Sequence, residues 1–164
     1  MTEASPPVDY IKRTRDQYDS LGYAPYRWVE NEGAPPWASL PKPLSECRVA
    51  LVGSGGIYRA GQVGYHFKDD DSFRIIDSQT AESDLRVIHF AYDMTAARRD
   101  PNVVFPLGPL RDLAAEGVIG EVGPRAYGFM GGIYSSRKVK ERLAPAIADR
   151  VVEDEVDLVL LVPV

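Results

Sequence analysis

The sequence predicts an α/β fold, a mainly parallel sheet in a three-layer, Rossmann-like arrangement, and three observations carry that expectation. Arg48–Gly53 (RVALVG) and the segment 156–164 (VDLVLLVPV) are short apolar runs of the kind buried on both faces of a parallel sheet. Leu85–Phe90 (LRVIHF) reads as a further strand of that sheet, with Leu85, Val87 and His89 on one face. Helical patterns lie between these runs, so strands and helices alternate along the chain.

Taken in order, residues 1–47 form an N-terminal helix and an extended arm, and residues 48–164 an α/β domain. The helix is expected over 8–21, where Val8, Ile11, Tyr18 and Leu21 line one stripe, with Asp9 as N-cap and Gly22 as terminator. The arm that follows is rich in proline and carries Tyr23, Tyr26, Trp28 and Trp37; its rings are expected to pack on the domain or on a partner. After the first strand and the LRVIHF strand, PLRDLAAE (109–116) has proline in its first turn and Gly117 just past its end, the asymmetry of a short helix. A second helix is expected over 136–152 from the stripe Val139, Leu143, Ile147 and Val151, kinked at Pro145. The closing apolar strand should be fully buried. It then lacks a neighbour and a covering helix, so the domain reads as incomplete at its C-terminus. A second copy, another subunit or a continuation of the chain is expected to cover it.

With 19 Lys+Arg against 24 Asp+Glu the formal charge is −5, which disfavours nucleic acid and anionic lipid as partners. The sequence has no long apolar run and no signal-like start (MTEASPPVDY), so a cytoplasmic protein is expected, without a membrane partner. The single cysteine, Cys47, excludes an internal disulfide and reads as a structural thiol. Two histidines leave little for a metal site, and none is assigned. No dinucleotide fingerprint or phosphate loop is present, so no cofactor is expected in this chain.

Chemistry concentrates in four stretches. LVGSGGIY runs from a strand into Ser54, Gly55 and Gly56, followed by Tyr58; such a turn either cradles a carboxylate on backbone N–H groups or is a plain tight turn. GGIY recurs within YGFMGGIYSS, placing Gly131, Gly132, Tyr134 and Ser135 before a helix with Ser135 or Ser136 as N-cap, where the glycine turn and the helix start form a second candidate anion site. The flanks of the two copies differ, so this is convergence on one local geometry rather than a repeat. HFKDDDS sets His66 beside three aspartates, which suits acid–base work or, with the carboxylates, a divalent metal, and is otherwise a solvated acidic turn. HFAYD carries His89, Tyr92 and Asp93 to the carboxyl end of a strand, where open α/β sheets bind ligands; His89 is otherwise a buried, hydrogen-bonded side chain. Those twelve residues are the substrate-binding candidates.

The ordered set KPLSECRVALVGSGGIY, HFKDDDSFR, DLRVIHFAYD, DPNVVFPLGPLRDL, YGFMGGIYS and VDLVLLVPV resembles the B subunits of the glycine/sarcosine/betaine and D-proline reductases. The resemblance runs from about Val8 to Val164. It implies a subunit of a selenocysteine- or cysteine-dependent reductase acting on a small amino acid such as glycine, sarcosine, betaine or D-proline. It also implies a partner subunit whose pyruvoyl group activates the substrate amine, in a hetero-oligomer or beside a homodimer of this chain. In that family the chalcogen nucleophile follows the apolar strand, so it is expected after Val164 and the chain alone is expected to be inactive. Two readings follow: a selenocysteine codon taken as a stop, or a noncatalytic, scaffolding subunit that pairs with a polypeptide carrying the redox motif.

Overall fold

A computed structural model describes residues 9–25 and 30–164, in two compact units that divide between Pro36 and Trp37. In the first, α1 (Tyr10–Ser20) starts where Asp9 accepts the Lys12 N–H at 2.9 Å. It stops in a Schellman turn: Gly22, at φ 72°, donates to the Asp19 carbonyl and Tyr23 to that of Tyr18. Both ends are those the sequence predicts. Tyr26 and Trp28 of the arm lie outside the described residues.

The second unit is built on β1 (Arg48–Gly53), whose β-branched and small residues are buried from Val49 onward. β2 (Ile57–Arg59) and β3 (Phe73–Asp77) follow, then β4 (Leu85–Val87), α2 (Thr95–Arg99) and α3 (Leu107–Ala115). The chain continues through β5 (Glu121–Val122) and β6 (Arg125–Phe129) to a composite helix and ends in β7 (Leu158–Val162). β1 is central: β5 and β6 run parallel to it on one side and β7 parallel on the other, while β3 closes the far edge antiparallel to β6. β5 and β6 act as one interrupted strand, because Gly123 donates to the Val49 carbonyl and Pro124 has no N–H to continue the ladder.

The two faces of the sheet bury separate clusters. On one, Val49, Leu51, Ile76 and Ala126 pack with Phe105, Leu107 and Leu110; on the other, Val52 and Tyr127 pack with Leu143 and Ile147. The result is an α/β unit with a mainly parallel sheet, as the apolar runs predict.

Three expectations are corrected. Leu85–Phe90 is not a strand of the main sheet: only Leu85–Val87 is extended, and it pairs antiparallel with β2 in a separate two-stranded sheet. The Ile88 N–H still reaches the Gly56 carbonyl in register with β2, and the strand breaks at His89, whose N–H goes to Met94 Sδ and turns the chain toward α2. The main sheet uses β3 and β5–β6 instead, none of which the apolar patterning marks. Second, β7 is not fully buried but lies at an edge, with Leu160 and Leu161 exposed. Third, the helix over 136–152 is no single kinked α-helix. It is an α-turn (α4, Ser136–Lys138), a π-turn (Val139–Leu143) and an α-helix (α5, Ala144–Glu153). Pro145 has no N–H to offer the preceding turn, and widening that turn to π geometry keeps the helix on course.

Candidate functional site

The glycine corners meet at the carboxyl ends of β1, β6 and β7. β1 leads into Ser54–Gly56 and β6 into Met130–Gly132, and Gly55 faces Met130 across an isolated antiparallel bridge. Backbone bonds tie the corner together: Ser54 N–H to the Val162 carbonyl at 3.1 Å, Gly56 N–H to that of Phe129 at 2.9 Å and Gly131 N–H to that of Ser54 at 2.9 Å. The Ser54 hydroxyl accepts the Val164 N–H at 2.9 Å, joining the end of β7 to the same spot. Glycine is demanded by packing: a Cβ on Gly56, at φ 71°, would stand 1.9 Å from the Ile88 carbonyl oxygen, and one on Gly132 would stand 2.2 Å from Phe90 Cζ. Three of the six N–H groups in these turns, those of Ser54, Gly56 and Gly131, thus serve the protein itself. Among the described residues, those of Gly55, the fully buried Met130 and Gly132 donate to no protein group.

HFAYD closes over this corner. His89 is 3 % exposed, with its ring stacked on Phe90 at 5.5 Å and tilted against Tyr92 at 4.7 Å. Its Nδ1 accepts the Ala91 N–H at 3.0 Å, which leaves the ring proton on Nε2; among the described residues that buried nitrogen has no partner. Burial pushes the His89 pKa down, so the ring is neutral near pH 7. The Tyr92 hydroxyl donates to the Gly55 carbonyl at 2.8 Å, and burial raises its pKa. Asp93 faces the other way, accepting from the Thr95 N–H and hydroxyl at the start of α2; those bonds hold its carboxyl below the usual range.

The second GGIY corner is held by an acid that is not among the twelve candidates. Asp69, in the left-handed region at φ 50°, accepts the Tyr134 N–H at 2.6 Å and the Ser135 N–H at 3.3 Å. Its carbonyl takes the Lys138 ammonium at 2.9 Å, and Ser135 Oγ caps the Lys138 N–H. The N–H groups expected to face an anion therefore already hold a carboxylate of the chain. The aspartate run reads differently at each position, because neighbours in a turn point apart. Asp70 is buried and accepts from the backbone of His66 and Ser72 and from the Ser72 hydroxyl; burial opposes its charge, yet those bonds hold its pKa down. Asp71 pairs with Arg142 at 3.0 Å.

Of the twelve candidates, Ser54, Gly55, Gly56, His89, Tyr92, Gly131 and Gly132 converge. Tyr134 and Ser135 adjoin them through Asp69. His66, with its Nε2 3.7 Å from Asp70, is largely exposed. Tyr58 lies on β2, edge-on to Tyr65 at 6.2 Å and beside Leu85 and Arg86, away from the corner. Phe90 and Met130 also shape the corner; only the contact of Phe90 with Gly132 reveals the first, and no local pattern marks it. Among the described residues no three His, Cys, Asp or Glu side chains gather as a metal site.

A family model described as glycine/sarcosine/betaine reductase selenoprotein B matches residues 29–164. The chain belongs to that selenoprotein B family. The match takes in the whole sheet and the corner and leaves α1 outside it. D-proline reductase subunit gamma of Acetoanaerobium sticklandii is 37% identical over 127 residues, 77% of this chain and 52% of that protein. Glycine reductase complex component B subunit gamma of Symbiobacterium thermophilum is 33% identical over 127 residues, 73% of this chain and 29% of that protein. Sarcosine reductase complex component B subunit beta of Peptoclostridium acidaminophilum is 33% identical over 129 residues, covering 73% and 28%. This selenoprotein B family chain therefore spans about half the length of the first relative and under a third of the other two. No solved structure matches it at comparable significance.

Proposed function

We propose that this chain is part of a subunit of a multi-subunit reductase that cleaves the C–N bond of a small amino acid, with D-proline, glycine, sarcosine and betaine as the substrates to test. The observation that carries the reading is the corner itself: β7 runs to the Ser54 hydroxyl, where two glycine turns and a buried histidine meet at the carboxyl edge of a parallel sheet. A selenocysteine or cysteine following β7 would stand beside that corner. The pyruvoyl group of a partner subunit would supply activation of the substrate amine. Among the donors that the chain leaves for such a complex are the Gly55 and Gly132 N–H groups and His89 Nε2–H, which suit a carboxylate or carbonyl oxygen. Tyr92 orients this set by holding the Gly55 carbonyl, and the neutral His89 ring donates without placing a charge in the site.

The test begins with the nucleotide sequence past codon 164. An in-frame TGA followed by family-like sequence is expected. The extended protein, made with selenium and mixed with a pyruvoyl-bearing partner, should then release the cleaved product from one of the four substrates with a dithiol as electron donor. The 164-residue chain alone should give no turnover. Turnover by that chain alone would overturn the reading, and an extended protein inactive with every substrate in the presence of the partner would overturn it in favour of a scaffolding subunit.

A further inference from the structure

β7 is paired along one side only. It runs in register with β1 from Val49↔Leu158 to Gly53↔Val162, and among the described residues no strand meets its other side. Edge strands in soluble sheets usually carry charges, prolines or bulges that discourage further pairing. The opposite edge, β3, does so with Arg74 and Asp77. β7 reads LVLLV and has no such guard within its paired length.

Both faces of β7 are unfinished as well. Leu158 and Val162 pack on one core cluster and Val159 on the other, whereas Leu160 is 38 % and Leu161 69 % exposed. Strand alternation sends these two leucines to opposite faces. On α5, Val152 adds another exposed apolar side chain, at 76 %. A strand apolar on both faces belongs to the interior of a parallel sheet. Its relatives are long enough to supply what is missing, since this chain corresponds to 52% of the D-proline reductase subunit and 29% of a glycine reductase subunit.

We propose that the free edge of β7 receives a further parallel strand, apolar on both faces and joined to a helix, from the part of the family's sequence that lies outside the matched region. A right-handed crossover delivers strand and helix together, so a single insertion would pair the open backbone and cover an exposed leucine. A second copy of this chain across a two-fold axis would instead pair antiparallel. The proposal rests on family membership and edge geometry, not on the chemistry proposed above.

The probe is the unmatched remainder of D-proline reductase subunit gamma, added to the 164-residue chain. A one-to-one complex in sedimentation is expected, with slowed amide exchange over 158–162. Leu161→Lys, at an exposed position, should weaken it by about tenfold or more without unfolding the chain. Val63→Lys, equally exposed but remote in sequence, should leave binding unchanged. Absence of a complex, binding indifferent to Leu161→Lys, or a homodimer of the chain that itself protects 158–162 would each overturn the proposal.

Discussion

Gly56 holds the carboxyl corner on a backbone angle that side chains resist, and the Ile88 carbonyl occupies the space a Cβ would need. Gly56→Ala should therefore cost roughly 2–4 kcal/mol in chemical denaturation, combining backbone strain with displacement of the β4 exit. An unchanged midpoint would show that the corner adapts. His89 makes a second prediction, in pH. Its folded pKa lies below the ordinary 6.5 because burial disfavours the charged ring, so its contribution is complete above about pH 6.5 and declines as pH falls through the folded value. His89→Gln should flatten the stability profile in that acid range, whatever it does to stability at neutral pH. A variant as acid-sensitive as the parent would contradict the neutral, buried assignment. Asp154 is the third case. Burial opposes its charge, but Arg125 Nε donates to both carboxylate oxygens at 2.9 Å and the Tyr127 hydroxyl donates at 2.7 Å, so its pKa stays depressed. Asp154→Asn should cost about 3 kcal/mol at neutral pH, because it leaves Arg125 without its buried partner. The difference from the parent should narrow below about pH 4, as the parent's own carboxylate takes up a proton.

At the scale of elements, the helix that begins at Ser136 depends on a residue far away in sequence. The Asp69 carboxylate satisfies two N–H groups ahead of the first turn, and the Lys138 ammonium returns to the Asp69 carbonyl. Asp69→Ala should loosen that start by about 1–2 kcal/mol and speed amide exchange at Tyr134 and Ser135, leaving α5 protected. Uniform exchange across both segments would mean that the clip adds nothing locally. The starts of α1 and α4 each carry a side-chain cap that a reader of the sequence can find, Asp9 and Ser135, because each lies three residues from the N–H it serves. Asp69 serves its targets from more than sixty residues away.

For the whole molecule, the division at Pro36 and Trp37 gives a prediction about independence. A chain of residues 37–164 should fold and melt within a few degrees of the full chain, since the sheet and both core clusters lie inside it. Collapse of its cooperative transition in calorimetry would show that the N-terminal unit contributes to the same core.

Local chemistry was enough for the sequence to determine α1 with both its caps, the β1 run into the glycine corner, α3 and the α/β class, because each depends on residues within a turn or a strand of one another. The family was legible too, since ordered motifs carry it irrespective of contacts. Other features became clear only in the tertiary structure. RAYGF and FRIID become strands because β1 offers an edge and β6 then offers another, not because either segment alternates strongly. LRVIHF has strand-like patterning, yet its pairing runs out at the Ile88–Gly56 bond and Met94 claims the His89 N–H it would need to continue. The corner unites Ser54, Gly56, Ile88 and Gly131 through main-chain bonds between segments remote in sequence, and such bonds leave no pattern in the side chains. β7 shows the same division: its apolar sequence specifies a strand that favours burial, whereas its place at the sheet's edge follows from which strands are there to flank it.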